Sequence, residues 1–432
     1  MSNILKISSL KVNDWRSISE NKVDFLRNGH PRSRSIFVGE NGAGKTSLLR
    51  AIALSLVPDI EANALTSELT GIQRRKNKRG VVSKESSIEI ELVDQGFNKY
   101  KILTKVYEGE DGREIIKRET IPSKFPWNKV FLAGYGVGRG IRGTSDIEEY
   151  DRKNSVLSLF KDNAQLFDAE VVLKSVKLNG ISGAKFPSLK FFEKSIRSVY
   201  RLNPNHKIEI NGLGVFVHGP WGSQPFNALG DGYRSSASWI LDFLGRYWSF
   251  SVKNAEVNSG EPEGIVIVDE VDEHLHPSWA QEILEILQKN FPKVQFIFTT
   301  HSPIPIVNVD PDELILVEQK NTLVTIHQNL ADTSAKTIDS LLRGRWFGLK
   351  RTMDSVTEKI YEHYQEALKK GDDAEIADAR SVLMLRAPSL CATPLEEAAI
   401  RAAENLRKKT SLGEQSTDFE SNLFEELKKS LD

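Results

Sequence analysis

Gly39-Glu40-Asn41-Gly42-Ala43-Gly44-Lys45-Thr46 is the stretch on which the reading of this chain turns. It fits the spacing G-x-x-x-x-G-K-[ST]. Its surroundings fit as well: the apolar Ile36-Phe37-Val38 precedes it as a strand, and Thr46 to Val57 follows with apolar residues at helical spacing. In that order the glycines let backbone N–H groups converge on phosphate oxygens, and the start of the helix adds partial positive charge. The pattern assigns Gly39, Asn41, Gly42, Ala43, Gly44, Lys45, Thr46 and Ser47 to nucleotide binding. Lys45 is expected to reach the β and γ phosphates of ATP, and the Thr46 hydroxyl to hold Mg2+.

A phosphate site of this kind needs an acid on a neighbouring strand. Ile265-Val266-Ile267-Val268-Asp269-Glu270 supplies one, with four apolar residues to bury the strand and two carboxylates at its C-terminal end, where open α/β sheets place their ligands. Asp269 is expected to serve Mg2+, and Glu270 to act as the base that orients water. Phe296-Ile297-Phe298-Thr299-Thr300-His301-Ser302-Pro303 reads as the next buried strand, ending in polar groups. His301 is there expected to sense the γ phosphate.

Outward from these motifs, Leu5, Ile7, Leu10 and Val12, then Val23 and Phe25, alternate with polar residues. They suggest an antiparallel hairpin with turns at Asn13-Asp14 and Asn28-Gly29. Further strands are expected over Ser87 to Val93, Tyr100 to Val106 and Ile208 to Val217, and helices over Tyr233 to Trp248 and Trp279 to Leu287. The domain reading is a head over 1–345, with an α/β core in 1–140 and 200–345 around a helical insertion at about 145–200, and a helical, acidic extension over 346–432.

The 432 residues carry 58 Lys and Arg against 59 Asp and Glu, so no global positive field would gather a polyanion. Any contact with double-stranded DNA must be local, and the candidates are Arg74, Arg75, Lys76, Lys78 and Arg79, with Arg139, Arg142 and Arg152 as a second patch. The single cysteine, Cys391, leaves no disulfide framework or thiolate metal cluster. The start of the chain does not read as a secretory signal, and no apolar run approaches membrane-spanning length. A cytoplasmic protein is expected, with no membrane partner.

Together these motifs resemble the ATP-binding-cassette ATPases of the RecF, SMC and OLD-like branch. The acidic strand running on into Val271-Asp272-Glu273-His274-Leu275-His276-Pro277 is the most particular point of likeness. The resemblance covers roughly residues 1–345 and implies an α/β ABC-type P-loop NTPase head: a mixed sheet with an N-terminal antiparallel β subdomain, an inserted helical segment and a helical tail. It implies ATP hydrolysis with Mg2+ in a homodimer or higher homo-oligomer. Arg16, in Leu10-Lys11-Val12-Asn13-Asp14-Trp15-Arg16-Ser17, would touch nucleotide. Leu229, Gly230, Asp231, Gly232 and Tyr233 would act in trans as the signature loop, though they depart from Leu-Ser-Gly-Gly-Gln. The lobe connection Phe131 to Gly140 has no glutamine, which leaves Tyr135 or Arg139 to replace it. Leu341 to Leu349 and the tail resemble ATPases of prokaryotic antiviral defence of the Septu PtuA kind, which work with a separately encoded nuclease. The alternative is a RecF-like DNA repair ATPase without a nuclease partner.

Overall fold

The computed structural model describes residues 4–66, 83, 85–108, 114–139, 149–181, 189–199, 201–211, 214–226, 231–254, 261–321, 323–330, 337–349 and 352–391. It divides into two compact units, Met1–Leu341 with Arg345–Phe347, and Leu342–Gly344 with Gly348–Asp432.

The first unit opens with β1 (Lys6–Trp15) and β2 (Ile18–Asp24), then the short pair β3 (Leu26–Arg27) and β4 (His30–Pro31) around Asn28-Gly29. The expected first turn at Asn13-Asp14 falls instead at Arg16-Ser17, because Trp15 pairs with Ile18. Trp15 is fully buried, and this prolongs β1. Strand β5 (Arg34–Val38) leads through the glycine loop into helices α1 (Lys45–Ser55) and α2 (Asp59–Thr66). There follow β6 (Glu85–Val93), β7 (Lys99–Glu108), β8 (Glu114–Ile121) and β9 (Leu132–Tyr135). Helices α3 (Arg152–Val156), α4 (Ala169–Ile181) and α5 (Leu189–Val199) precede a three-stranded antiparallel sheet of β10 (Lys207–Asn211), β11 (Gly214–Gly219) and β12 (Gly222–Pro225). The long helix α6 (Asp231–Lys253) leads on to β13 (Glu263–Val268). The expected helix over Trp279 to Leu287 is two, α7 (Pro277–Ala280) and α8 (Ile283–Asn290), since the Glu282 N–H bonds only three residues back to the Trp279 carbonyl at 3.0 Å. Then come β14 (Lys293–Thr300), β15 (Leu314–Lys320), β16 (Leu323–His327) and α9 (Ile338–Arg343).

Eleven strands form one mixed sheet in the order β8-β7-β6-β1-β2-β16-β15-β5-β14-β13-β9. The five from β15 to β9 are parallel, while β1, β2, β6, β7 and β8 pair antiparallel. This is the α/β P-loop NTPase fold expected from the motifs. The parallel strands are buried on both faces, as their continuous apolar runs require. Helix α1 lays Leu48, Leu49 and Ile52 into a core shared by Leu10 and Ile88 of the antiparallel strands and Ile265, Ile297 and Ile315 of the parallel ones. Elsewhere in the unit Phe131 is ringed by Tyr247, Phe250 and Phe243 of α6, with centroids at 5.0, 5.3 and 6.0 Å. Burying each such ring contributes on the order of 2–3 kcal/mol.

Register decides where the sheet delivers its loops. Val38 pairs with Thr300, Val268 with Phe298, and Val268 with Tyr135. The segments beginning at Gly39, Asp269, His301 and Gly136 therefore leave the sheet at one edge.

In the second unit α10 (Ser355–Lys370) and α11 (Asp373–Arg386) form a hairpin through Gly371, whose φ of 77° ends α10. Tyr364, Ala367, Leu368, Ile376, Ala379 and Leu383 close its core. Val356, near the start of α10, is exposed. Among those described, no helix is long and apolar enough to cross a membrane.

Candidate nucleotide site

The glycine loop is shaped by close approach. A Cβ on Gly39 would stand 2.2 Å from the Val317 carbonyl oxygen of β15, so no other residue lets the loop leave β5 along this path. Gly44, with φ 103°, sits at the N-cap of α1. No side chain caps the helix there and no acid occupies its first turn. An uncapped helix start free of acids suits an anion. Lys45 is buried and donates from Nζ to the carbonyls of Gly39 (2.7 Å) and Glu40 (2.9 Å). Burial pulls its ammonium below the ordinary lysine value, and Asp269, Glu270, Asp272 and Glu40 pull it partly back. Trp15 Nε1 donates to the Ser47 carbonyl at 2.9 Å and ties the first hairpin to α1.

Across from this loop, the Thr46 hydroxyl donates to Asp269 Oδ2 at 2.6 Å, joining residues 223 positions apart. The other oxygen of Asp269 accepts from Thr299 Oγ1 at 2.5 Å. The same Thr299 oxygen accepts the Glu270 N–H at 2.8 Å, so a single hydroxyl fixes both acidic residues to β14. Glu270 takes the left-handed φ of 46°, and its Oε1 lies 3.4 Å from His301 Nδ1. Thr300 Oγ1 donates to Asp272 Oδ1 at 2.7 Å. Thr46 and Asp269 are hard oxygen donors in direct contact, the set that Mg2+ prefers, and the loop beside them suits a phosphate. Thus the residues present fit both ATP and its metal.

Arg139, 3% exposed, reaches the acidic turn from the segment after β9. It donates to the carbonyls of Gly136 (3.1 Å), Asp269 and Glu270 (2.6 Å), and its guanidinium lies 4.0 Å from the Glu273 carboxylate. Burial lowers its pKa, though a guanidinium keeps its charge. Burial likewise raises the Glu273 carboxyl, with Arg139 drawing it back. Behind β9, Tyr135 donates to Asp242 at 2.7 Å. Asp242 also accepts from Arg246 Nε (2.6 Å) and the Phe167 N–H (2.7 Å), so a buried network joins β9 to α6. Desolvation holds the Tyr135 hydroxyl protonated well above its ordinary range.

A protein described as Septu protein PtuA, from Bacillus thuringiensis, is 33% identical over 321 residues, covering 72% of this chain and 76% of that protein. The chain belongs to the Septu PtuA family. A second PtuA, from Bacillus mycoides, is 26% identical over 370 residues, which are 83% of this chain and 47% of the relative, so the chain spans about half of that protein's length. The Retron Ec83 probable ATPase of Escherichia coli matches 147 residues at 33% identity, 34% of this chain and 27% of the relative. The family model described as AAA ATPase domain matches residues 5–211, and an AAA domain model of the AbiEii toxin and Type IV TA system class matches 183–304. Among solved structures, the SMC head domain from Thermotoga maritima aligns over 76% of this chain and 100% of its own, with 15% identity and a TM-score of 0.44. With its PtuA relatives and the AAA ATPase model it matches, this chain is a P-loop ATPase.

In this Septu-family chain the sheet edge gathers Gly39, Lys45, Thr46, Asp269, Glu270 and His301. Asn41 and Gly42 are exposed at the loop tip, Ala43 is buried beneath it, and Ser47 lies in the first turn of α1. Arg16 occupies the hairpin turn with φ 53°. Burial first, and the charge of Arg16 among the further causes, lower the pKa of Arg50, so the two cations share one field. Asp231, Gly232 and Tyr233 form the first turn of α6. Leu229 and Gly230 lie outside the described residues, as do Arg74, Arg75, Lys76, Lys78, Arg79 and Arg142. Of the second basic patch, Arg139 is buried and turned inward, and Arg152, half-buried, donates to the carbonyls of Trp127 and Val130 between the rings of Trp127 and Tyr150, 5.9 and 5.8 Å away. Thr299 carries one signal in the sequence, a hydroxyl at the end of an otherwise apolar run.

Proposed function

We propose that this chain binds ATP with Mg2+ between its phosphate loop and its acidic strand, hydrolyses it to ADP and phosphate, and does so as a homodimer or higher homo-oligomer. The observation that carries this reading is the 2.6 Å contact between Thr46 and Asp269, which brings a phosphate loop and a carboxylate strand into one site. Gly39, Asn41, Gly42, Ala43, Gly44 and Ser47 frame the phosphates, and Lys45 exchanges its two loop carbonyls for phosphate oxygens. Thr46 and Asp269 hold Mg2+, which neutralises charge on the phosphates when bound. Glu270 orients the attacking water and accepts its proton, and His301, beside it, reads whether the γ phosphate is present. Arg16 meets the nucleotide from the hairpin turn, and Leu229 to Tyr233 complete the site of a second copy.

The biological role we assign is the ATPase component of an anti-phage defence system acting with a separate nuclease, with DNA met locally through Arg74, Arg75, Lys76, Lys78 and Arg79. The Septu and retron names of the relatives favour this over a RecF-like repair role. Two variants test the core of the reading. Glu270→Gln should keep the affinity for the fluorescent analogue mant-ATP, slow hydrolysis by about a hundredfold or more, and accumulate an ATP-bound oligomer in light scattering. Lys45→Ala should lose mant-ATP binding. Equal mass with and without ATP in the Glu270→Gln protein would rule out oligomerisation around ATP, and unchanged binding in Lys45→Ala would rule out the site.

A further inference from the structure

We propose that Arg139 is a positioning residue for Glu270, setting the direction of its carboxylate by fixing its backbone from behind. The proposal rests on the ATPase reading and deepens it. Glu270 is a non-glycine residue at φ 46°, a strained conformation that persists only where its surroundings impose it. Its surroundings do so at both ends. The Glu270 N–H is held by Thr299 Oγ1 at 2.8 Å, and its carbonyl by Arg139 Nη2 at 2.6 Å. Arg139 also holds the carbonyl of Asp269, so one planar fork spans the two peptide units on either side of the Glu270 Cα. The fork itself is anchored: Nη1 donates to Gly136, and Glu273 faces the guanidinium. Among the described residues the hydrogen bonds and ion pair of Arg139 go to Gly136 and the acidic turn, so it acts on that turn and leaves the phosphate cradle to other residues.

Lysine has the charge but not the fork, and cannot hold two carbonyls in one plane. In the full-length chain, Arg139→Lys should lower kcat for ATP by about tenfold or more, because a displacement on the order of 1 Å at a reacting group costs that much. Mant-ATP affinity and KM should stay within about twofold, since the cradle is intact. In a Glu270→Gln background the same change should leave the residual single-turnover rate unaltered, because the group being positioned is already gone. Overturning results are a kcat within about twofold of wild type, a loss carried by KM, or a multiplicative loss in the Glu270→Gln background. If Arg139→Lys and Arg139→Met both fail to fold, the residue is structural and the proposal falls. A wild-type chain that neither binds mant-ATP nor hydrolyses ATP would end the site reading itself, and this inference with it. Normal wild-type activity with an indifferent Arg139→Lys would end this inference alone.

Discussion

Thr299 holds the acidic end of β13 with one oxygen atom, donating to Asp269 and accepting from Glu270. Thr299→Val keeps the shape and β-branching while removing both bonds, and leaves the buried Glu270 N–H without its acceptor. Such a loss costs about 1–3 kcal/mol. We expect a lower melting temperature and slower ATP turnover, with mant-ATP affinity retained; Thr300→Val, which removes the bonds to Asp272 and the Ser302 N–H but leaves Asp269 and Glu270 held, should slow turnover less. At this scale the sequence discloses residues whose chemistry forces a spacing. Eight positions of phosphate loop are legible because glycine, lysine and threonine must each meet a different part of one ligand. Thr299 holds a backbone N–H as well as a carboxylate, and Arg139 holds carbonyls, and a hydrogen bond to the backbone imposes no pattern on the residues that receive it. The sequence offers Arg139 as basic charge or as a stand-in for the missing glutamine; only the fold shows that its guanidinium turns inward onto the acidic turn.

Among the elements, α6 carries the most consequence for its length. Its apolar period over Tyr233 to Trp248 is plain in the sequence, and the helix runs further, from Asp231 to Lys253. What the period does not reveal is Asp242, a carboxylate with no exposed surface that takes hydrogen bonds from Tyr135, Arg246 and the Phe167 N–H. An acid on an apolar helix face looks like an interruption. Here it is the link between α6, whose first turn holds the signature candidates, and β9, whose end leads to Arg139. Asp242→Ala would strand the buried Arg246 guanidinium beside the Phe167 ring. Removing one partner of a buried ion pair costs about 3–5 kcal/mol. A thermal melt should show the loss, and Asp242→Asn, which can still accept from Tyr135, should recover part of it. If Asp242→Ala melts with wild type, the network contributes nothing to holding α6.

At the scale of the whole molecule, the antiparallel and parallel strands belong to one sheet rather than to two subdomains. The seam is made by Gln295, fully buried on β14, whose amide accepts from the Ile7 N–H at 2.7 Å and donates to the Ile7 carbonyl at 2.9 Å across 288 positions. Those two bonds serve Ile7 where the register of β1 against β6 slips between Ile7 and Ser9. Gln295→Leu fills the space but abandons both backbone groups, at about 1–3 kcal/mol each. Hydrogen exchange at the Ile7 amide should accelerate, and unchanged protection there would show that Gln295 is not the seam. The two kinds of strand are legible from their patterns, alternating in one and continuously apolar in the other. Their order is not, because β16 beside β2 and Gln295 beside Ile7 are long-range pairings that no local period encodes.

The place of β5 in that order bears on how the chain is made. Its two neighbours are β14 and β15, residues 293–300 and 314–320, so both come from far downstream of the phosphate loop. On the ribosome the strand that bears the loop must wait with both edges bare while the residues between position 38 and position 293 are synthesised. Bare apolar strand edges pair with whatever they meet. The nucleotide cradle is thus written long before the strands that enclose it, and over that interval the nascent chain is exposed to misassembly at the segment it will later use to hold phosphate.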